Sequence, residues 1–509
     1  MRIQRRAGVV TAAVISTLVA MTVAAQPDLR LVDAARARDR RAVQALVKRN
    51  VDVNARGHDG ATALLWAAHW NDFETADLLI RAGADVNAAN DLRTTPLSLA
   101  CTNGNATLVE HLLAAGANPN TPIATGETPV MTCAGSGTAD AVRLLIARGA
   151  DVNAREPSQH QTALMWATAE RHPDVVRVLI DHGADLRGRT RKGFTALHFA
   201  AREGDLESTR LLLAAGLDVN VLSEPEAEEK ADDKKARAGG ASYEASISAG
   251  STPLLVATVR AHVPIALFLL AQGANPNIDA AGFTPLHWAA GTWESGESNP
   301  VFGFADAMSG IPNREEKVRL VNMLLEKGAD PNARMTRRPP GFAGGFTDVI
   351  GATSFLLAAA TADIELMRVL LAAGADPAQT TRANTTAIMA AVGMNRTLGE
   401  SAVTEAQALE AVRFLLELGV DPKALAANGE NALFGPAYRG WNALVQLLAD
   451  RGVDVNAVSK AGITPWRAAS GQGDRLGGVL FNTDTAALLV KLGADPTLGK
   501  PCMAQNKCR

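Results

Sequence analysis

One stretch, Thr195 to Asn220 (T-A-L-H-F-A-A-R-E-G-D-L-E-S-T-R-L-L-L-A-A-G-L-D-V-N), constrains the fold more than any other feature, because the chain keeps repeating it. It reads as a short helix, a turn at Gly204, a second helix and a stop at Gly216. Thr195 is a good N-cap, since its hydroxyl can satisfy an orphan backbone N–H. Several copies place Pro directly after that Thr, where a helix has no use for the missing N–H. Leu206, Thr209, Leu212 and Leu213 fall at helical spacing and form one apolar stripe. Gly216 suits the left-handed residue that closes a helix. Ala200 and Ala201 are small enough to let neighbouring helices approach closely. Two short helices cannot bury such a stripe alone, so the unit needs copies of itself on either side.

The copies are present. Aligned on the Thr position they begin at Thr62, Thr95, Thr128, Thr162, Thr195, Thr252, Thr284, Thr353, Thr386, Asn431 and Thr464, most intervals being 32 to 34 residues. A Gly follows 21 residues later at Gly83, Gly116, Gly149, Gly183, Gly216, Gly273, Gly374 and Gly452. An earlier copy starts near Leu29 and carries Asn50 in place of the Gly, which makes twelve. Thr284-Pro285-Leu286-His287-Trp288-Ala289-Ala290 and Ala82-Gly83-Ala84-Asp85-Val86-Asn87 carry a resemblance to the ankyrin repeat family, over about residues 28–500. The resemblance implies an all-α solenoid of about twelve helix–turn–helix repeats with hairpin finger loops. It specifies a scaffold, not a chemistry. It also implies that His198 and His287, at the fourth motif position, tie each repeat to its neighbour.

A length of 509 residues would ordinarily mean several domains, but a solenoid extends its core in one dimension. Hydrophobic content of 47% with only 4% aromatic fits an Ala/Leu-rich helical array. Arg2, Arg5 and Arg6 precede an apolar run from Ala7 to Ala25 that ends in Val23-Ala24-Ala25. Residues 1–25 are therefore expected to be a cleaved export signal, with an uncleaved membrane anchor as the alternative. Their removal takes three Arg and no acid, moving the formal charge from −3 to −6. A mildly acidic chain does not point to nucleic acid. Export would place it outside the cell or in a periplasm. Cys101 and Cys133 lie on the first helices of adjacent repeats; with helix axes roughly 8–10 Å apart and a disulfide needing Cα atoms within about 7 Å, buried free thiols are expected. Cys502 and Cys508, in the tail 501–509, are expected to pair if the chain is exported.

Insertions interrupt the array. Repeats occupy 28–220 and 251–500, separated by a charged, Ala/Gly-rich segment at 221–250 that is expected to be disordered. Lengthening that finger from about 12 to 36 residues costs only about 1 kcal/mol in closure entropy, so its presence proves no function. Repeat eight carries two more, at 293–313 and 332–352, and shorter ones fall at 394–405 and 472–483. Aromatics and arginines on loops are the material of binding hot spots. Arg337, Arg338, Phe342 and Phe346 are therefore partner-contact candidates, whereas Phe302 and Phe304 are expected to fold back on the solenoid. Pro436 falls inside the first helix of repeat eleven and should distort or shorten it.

No H-E-x-x-H, phosphate-binding loop or G-x-S-x-G occurs in the chain, no metal-ligand spacing links its His and Cys, and no cofactor is implied. His58, His69, His111, His160, His172, His182 and His262 are read as solvated or locally bonded. Trp66, Trp166, Phe199 and Trp288 share the fifth motif position and should pack as a ladder along the first helices. Positions that the framework leaves free lie on the finger tips and the last turn of each first helix, facing the concave side. They include His58, Asp59, His69, Trp70, Asp91, Leu92, Thr102, Asn103, Glu170, Arg191, Lys192, Arg202, Glu203, Arg260, Tyr438 and Arg439. Trp70 stands out, since a large aromatic there has no evident framework task. The expected function is a non-enzymatic scaffold engaging a protein partner through this face. A cell-envelope spacer without a partner is the alternative, and an enzyme sited in the repeat-eight insertions comes last.

Overall fold

The computed structural model describes residues 28–224, 249–294, 308–309, 311–339, 349–394, 403–471 and 481–499. The readings of the segment 1–25, of most of the finger 221–250, of Phe302, Phe304, Phe342 and Phe346, and of Cys502 and Cys508 fall outside those residues.

Among the described residues, 24 helices form twelve consecutive pairs, from Arg30–Arg36 with Arg40–Lys48 to Pro465–Ala469 with Thr483–Lys491. Local chemistry sets their ends. The hydroxyls of Thr62, Thr95 and Thr252 accept the N–H three residues on at 3.3, 3.1 and 3.1 Å, starting first helices. Carboxylate or amide oxygens of Asp72, Asn105, Asp205 and Asp363 do the same for second helices. Gly216 closes its helix at φ 94°, a conformation that costs an L-residue side-chain strain. In repeat one Asn50 takes that role at φ 52°.

First helices stack on first helices and second on second. Contact is closer along the first-helix row, where Ala100, Cys101 and Ala134 are wholly buried. The buried apolar residues form two contiguous clusters that meet in repeat six, where Phe194 and Leu213 touch both. The insertion after repeat six leaves the stack intact, because its two ends are stitched together: Ser223 N–H donates to Ser251 O at 2.9 Å and Gly250 N–H to Ser223 O at 2.9 Å.

A second ladder runs along the fingers. Asn87 donates from Nδ2 to Gly116 O at 3.0 Å and accepts the Asn118 N–H at 2.8 Å, so one side chain spans two repeats. Asn54, Asn120, Asn153, Asn277, Asn332 and Asn456 repeat both bonds. The equivalent residues Arg187, Ala378 and Lys423 make no such bridge, which leaves the ladder open after repeats five, nine and ten.

Three local expectations change or sharpen. Cys101 and Cys133 are joined by a disulfide, with Cα atoms 4.4 Å apart, and are not free thiols. The error lay in comparing an axis separation with a Cα separation: each Cα stands about 2.3 Å off its axis, so facing residues at about 9 Å axis spacing come within about 4–5 Å. Pro436 shortens its helix, which starts only at Phe434 and runs six residues to Arg439. Pro436 thereby sits in the first turn, where its missing N–H has no partner to lose. Finally, the repeat-eight insertion opens with a two-residue antiparallel ladder, Trp293 opposite Ser309 and Glu294 opposite Met308.

Candidate partner interface

The first-helix face is assembled by side chains that reach back one repeat to cap orphan carbonyls. Trp70 Nε1–H donates to Arg36 O at 3.1 Å, and Asn103 Nδ2 to Ala68 O at 2.8 Å. His172 Nε2 donates to Gly135 O and His262 Nε2 to Arg202 O, both at 3.0 Å. Asn482 Nδ2 reaches Tyr438 O at 2.8 Å. Two histidines read from sequence as solvated or local are thus inter-repeat caps. Trp70 does have a framework task, contrary to expectation, while remaining 37% exposed.

His198 and His287 perform the role that the resemblance implied. Each Nδ1 accepts the N–H of its own Thr, at 3.2 and 3.1 Å. Each Nε2–H donates to the next repeat, to Ser251 O at 3.0 Å and Ala333 O at 2.8 Å. Both rings are fully buried, and that burial pushes their pKa values down to about 4. The aromatic ladder also packs: Phe199 and Trp288 are 4% exposed, Trp66 and Trp166 are half-buried. Trp293 continues it, stacked on Trp288 with ring centroids 5.0 Å apart and its Nε1–H bonded to Trp288 O at 2.9 Å.

The remaining candidates divide by what holds them. His58 and Asp59 are exposed on a finger tip whose Asp59 O accepts the Asp91 N–H of the next finger at 3.0 Å. Arg191 reaches the preceding finger, donating to Pro157 O at 2.8 Å; Lys192 beside it is exposed. Arg202 pairs with Glu203 and lies over the Phe199 ring at 4.6 Å. Arg260 is half-buried, and its Nε has no hydrogen-bond partner among the described residues. Arg337 and Arg338 are exposed, and the Arg337 N–H bonds the finger residue Gly282 O at 3.2 Å. Tyr438 is half-buried, and Arg439 covers the Trp441 ring at 5.0 Å.

One real cluster emerges, at repeats one and two. His69 and Trp70 sit with Trp66, the two indoles stacked at 6.3 Å. Two residues that the sequence reading passed over complete it: Arg36 lies 5.3 Å over Trp66, and Arg38 5.5 Å over Trp70. Arg36 ends the first helix and Arg38 lies in the turn after it, in a copy that lacks the Thr landmark, and their rings come from the following repeat. A search for a basic residue one repeat before an aromatic would have found them.

No group of three or more His, Cys, Asp or Glu side chains among the described residues is placed to hold a metal ion. Nor is any described helix long and apolar enough to cross a membrane. Among curated proteins none matches the chain. Family models do. A three-copy ankyrin-repeat model matches residues 31–123, 97–189 and 130–223, and a single ankyrin-repeat model matches 249–280 and 281–336. The matched residues exceed half of the chain, and the helix pairs beyond residue 336 continue the same stack to residue 499. With paired helices, Thr caps, inter-repeat histidines and finger asparagines all in register, the chain belongs to the ankyrin-repeat family.

Proposed function

We propose that the chain is a non-enzymatic scaffold, exported from the cytoplasm, that binds a protein partner through its first-helix face and finger tips. Ankyrin repeats generally serve as protein-binding scaffolds. One observation carries the reading here: the helix ends of that face are locked by inter-repeat caps, yet they present Arg36, Arg38, His69, Trp70, Arg202 and Glu203 at exposed or half-exposed positions. A rigid wall bearing aromatics and arginines binds with little ordering cost. Export is supported by the Cys101–Cys133 disulfide, a bond that persists in oxidising compartments. The basic and then apolar N-terminal run supports it too.

The test is affinity capture on the purified chain from extracts of its native host. The scaffold reading expects one stoichiometric protein, lost when His69, Arg202 and Arg260 are together replaced by Ala in a variant that still folds. Recovery of no partner would favour a spacer and overturn the proposal.

A further inference from the structure

Arg36 and Arg38 form an exposed basic pair at the end of the first helix of repeat one. Arg30, Arg40, Arg81, Arg143, Arg202 and Arg314 each pair with a carboxylate. Arg36 and Arg38 are exposed, and no described acid pairs with either, although the sequence holds 53 acidic against 50 basic residues. Each guanidinium instead lies over an indole of the next repeat, Trp66 or Trp70. A guanidinium that meets a ring by its face keeps its N–H edge, the part that binds carboxylate in a two-pronged fork.

The platform is fixed before any ligand arrives. Trp70 is tied by Nε1–H to Arg36 O at 3.1 Å, and His69 packs edge-on against Trp66 and Trp70 at 5.5 and 4.6 Å. A helix C-terminus favours a cation in its last turn, which accounts for the charge of Arg36. Arg210 and Arg368 also each lie over one ring of the next repeat, Phe268 and Phe414, but the helix end does not account for Arg38, which lies beyond it, nor for two such cations over a pair of stacked indoles.

Resting on the scaffold reading, we infer that this cluster docks a short acidic segment of the protein partner, with side-chain carboxylates bridging the edges of Arg36 and Arg38. A long polyanion such as nucleic acid fits less well: its charged backbone would continue past the cluster and meet Asp33, Asp59 and Asp91, exposed on the same first three repeats, whereas a short segment can end at the two guanidinium groups.

The test uses the full chain and a fluorescein-labelled octaglutamate peptide, followed by anisotropy at low ionic strength. Binding is expected to weaken more than tenfold in the Arg36→Gln/Arg38→Gln variant. The Arg36→Lys/Arg38→Lys variant, which keeps charge but loses the fork, should weaken it severalfold. Arg319→Gln, on the exposed face of a second helix, should leave it unchanged. Thermal melts matching the parent would show that the variants fold. Equal binding by parent and Gln variant overturns the inference, as does tighter binding of a single-stranded oligonucleotide of equal length. Capture from host extract separates the two readings. A partner held equally by parent and Gln variant overturns the acidic-segment inference alone. A parent chain that captures no protein overturns the scaffold reading, and with it this inference.

Discussion

His198 and His287 hold the stack together only while neutral, since each Nδ1 must accept a proton-bearing N–H and each Nε2–H must donate to a carbonyl. A protonated ring would lose the first bond and carry a charge in a fully buried site. Burial lowers both pKa values from 6.5 to about 4, so the unfolded chain binds more protons than the folded one between those limits. Their contribution to stability is therefore complete above pH 6.5 and is lost as pH falls toward 4, by on the order of 3 kcal/mol per ring. Urea midpoints measured from pH 7.5 to 4.5 should fall, and the His198→Gln/His287→Gln variant should be less stable at neutral pH with a flatter profile. An unchanged slope in that variant would assign the acid sensitivity elsewhere. Glu156 behaves oppositely. Burial opposes its ionisation, but bonds from Gln161, Ser158 and Gln159 outweigh that and lower its pKa, so it stays charged through the same window.

At the scale of the element, what each repeat contributes depends on which bridges it makes to the next. The Cys101–Cys133 disulfide joins adjacent first helices across 32 residues of sequence. Closing a loop of that length in the unfolded chain stabilises the fold by about 3–4 kcal/mol. Reduction, or the Cys101→Ala/Cys133→Ala variant, should lower the melting temperature, most visibly for signals from repeats three and four. Ala378 offers the converse experiment. Its N–H donates the same local turn bond, to Asp376 Oδ1 at 2.9 Å, that the Asn87 N–H donates to Asp85 Oδ1 at 2.9 Å. An Asn side chain there would meet Gly419 O and the Asp421 N–H just as Asn87 meets Gly116 O and the Asn118 N–H. Ala378→Asn should stabilise the chain by about 1–2 kcal/mol in denaturant titration, two hydrogen bonds being gained. The Thr caps and left-handed glycines were legible in the sequence, since they answer local backbone demands that recur with every copy, whereas the bridges of the finger asparagines show only once the next repeat is in place. The disulfide was not, because its geometry depends on which sides of two helices face each other. Arg36 and Arg38 were not either: the residues that give them meaning, Trp66 and Trp70, are a whole repeat away, and only stacking brings them together.

For the molecule as a whole, a linear array has no single stability, because each repeat is held by its own packing and by its two junctions. The four junctions that join repeats one to five all carry a two-bond Asn bridge, from Asn54, Asn87, Asn120 and Asn153. Repeat ten lacks one on both sides, at Ala378 and Lys423. Repeats eleven and twelve regain theirs through Asn456, so they form a pair coupled to the rest across a weak place. Two missing bridges remove about 3 kcal/mol of coupling at about 1 kcal/mol per bond or slightly less. Buried amides in the second helix of repeat eleven, at Leu444, Val445 and Leu448, should therefore exchange with deuterium through partial opening. Those of Val142 and Leu145 in repeat four, equally buried, should exchange only in rarer and larger openings. Repeats one to five also carry the Arg36–Trp66 and Arg38–Trp70 platform, so the stiffer end is the one that presents the proposed docking cluster. The gap should narrow in the Ala378→Asn variant, with protection rising in repeats ten to twelve and not in repeat four. Uniform exchange along the array, or a rise spread equally over both ends, would show that the finger bridges do not set where this solenoid opens.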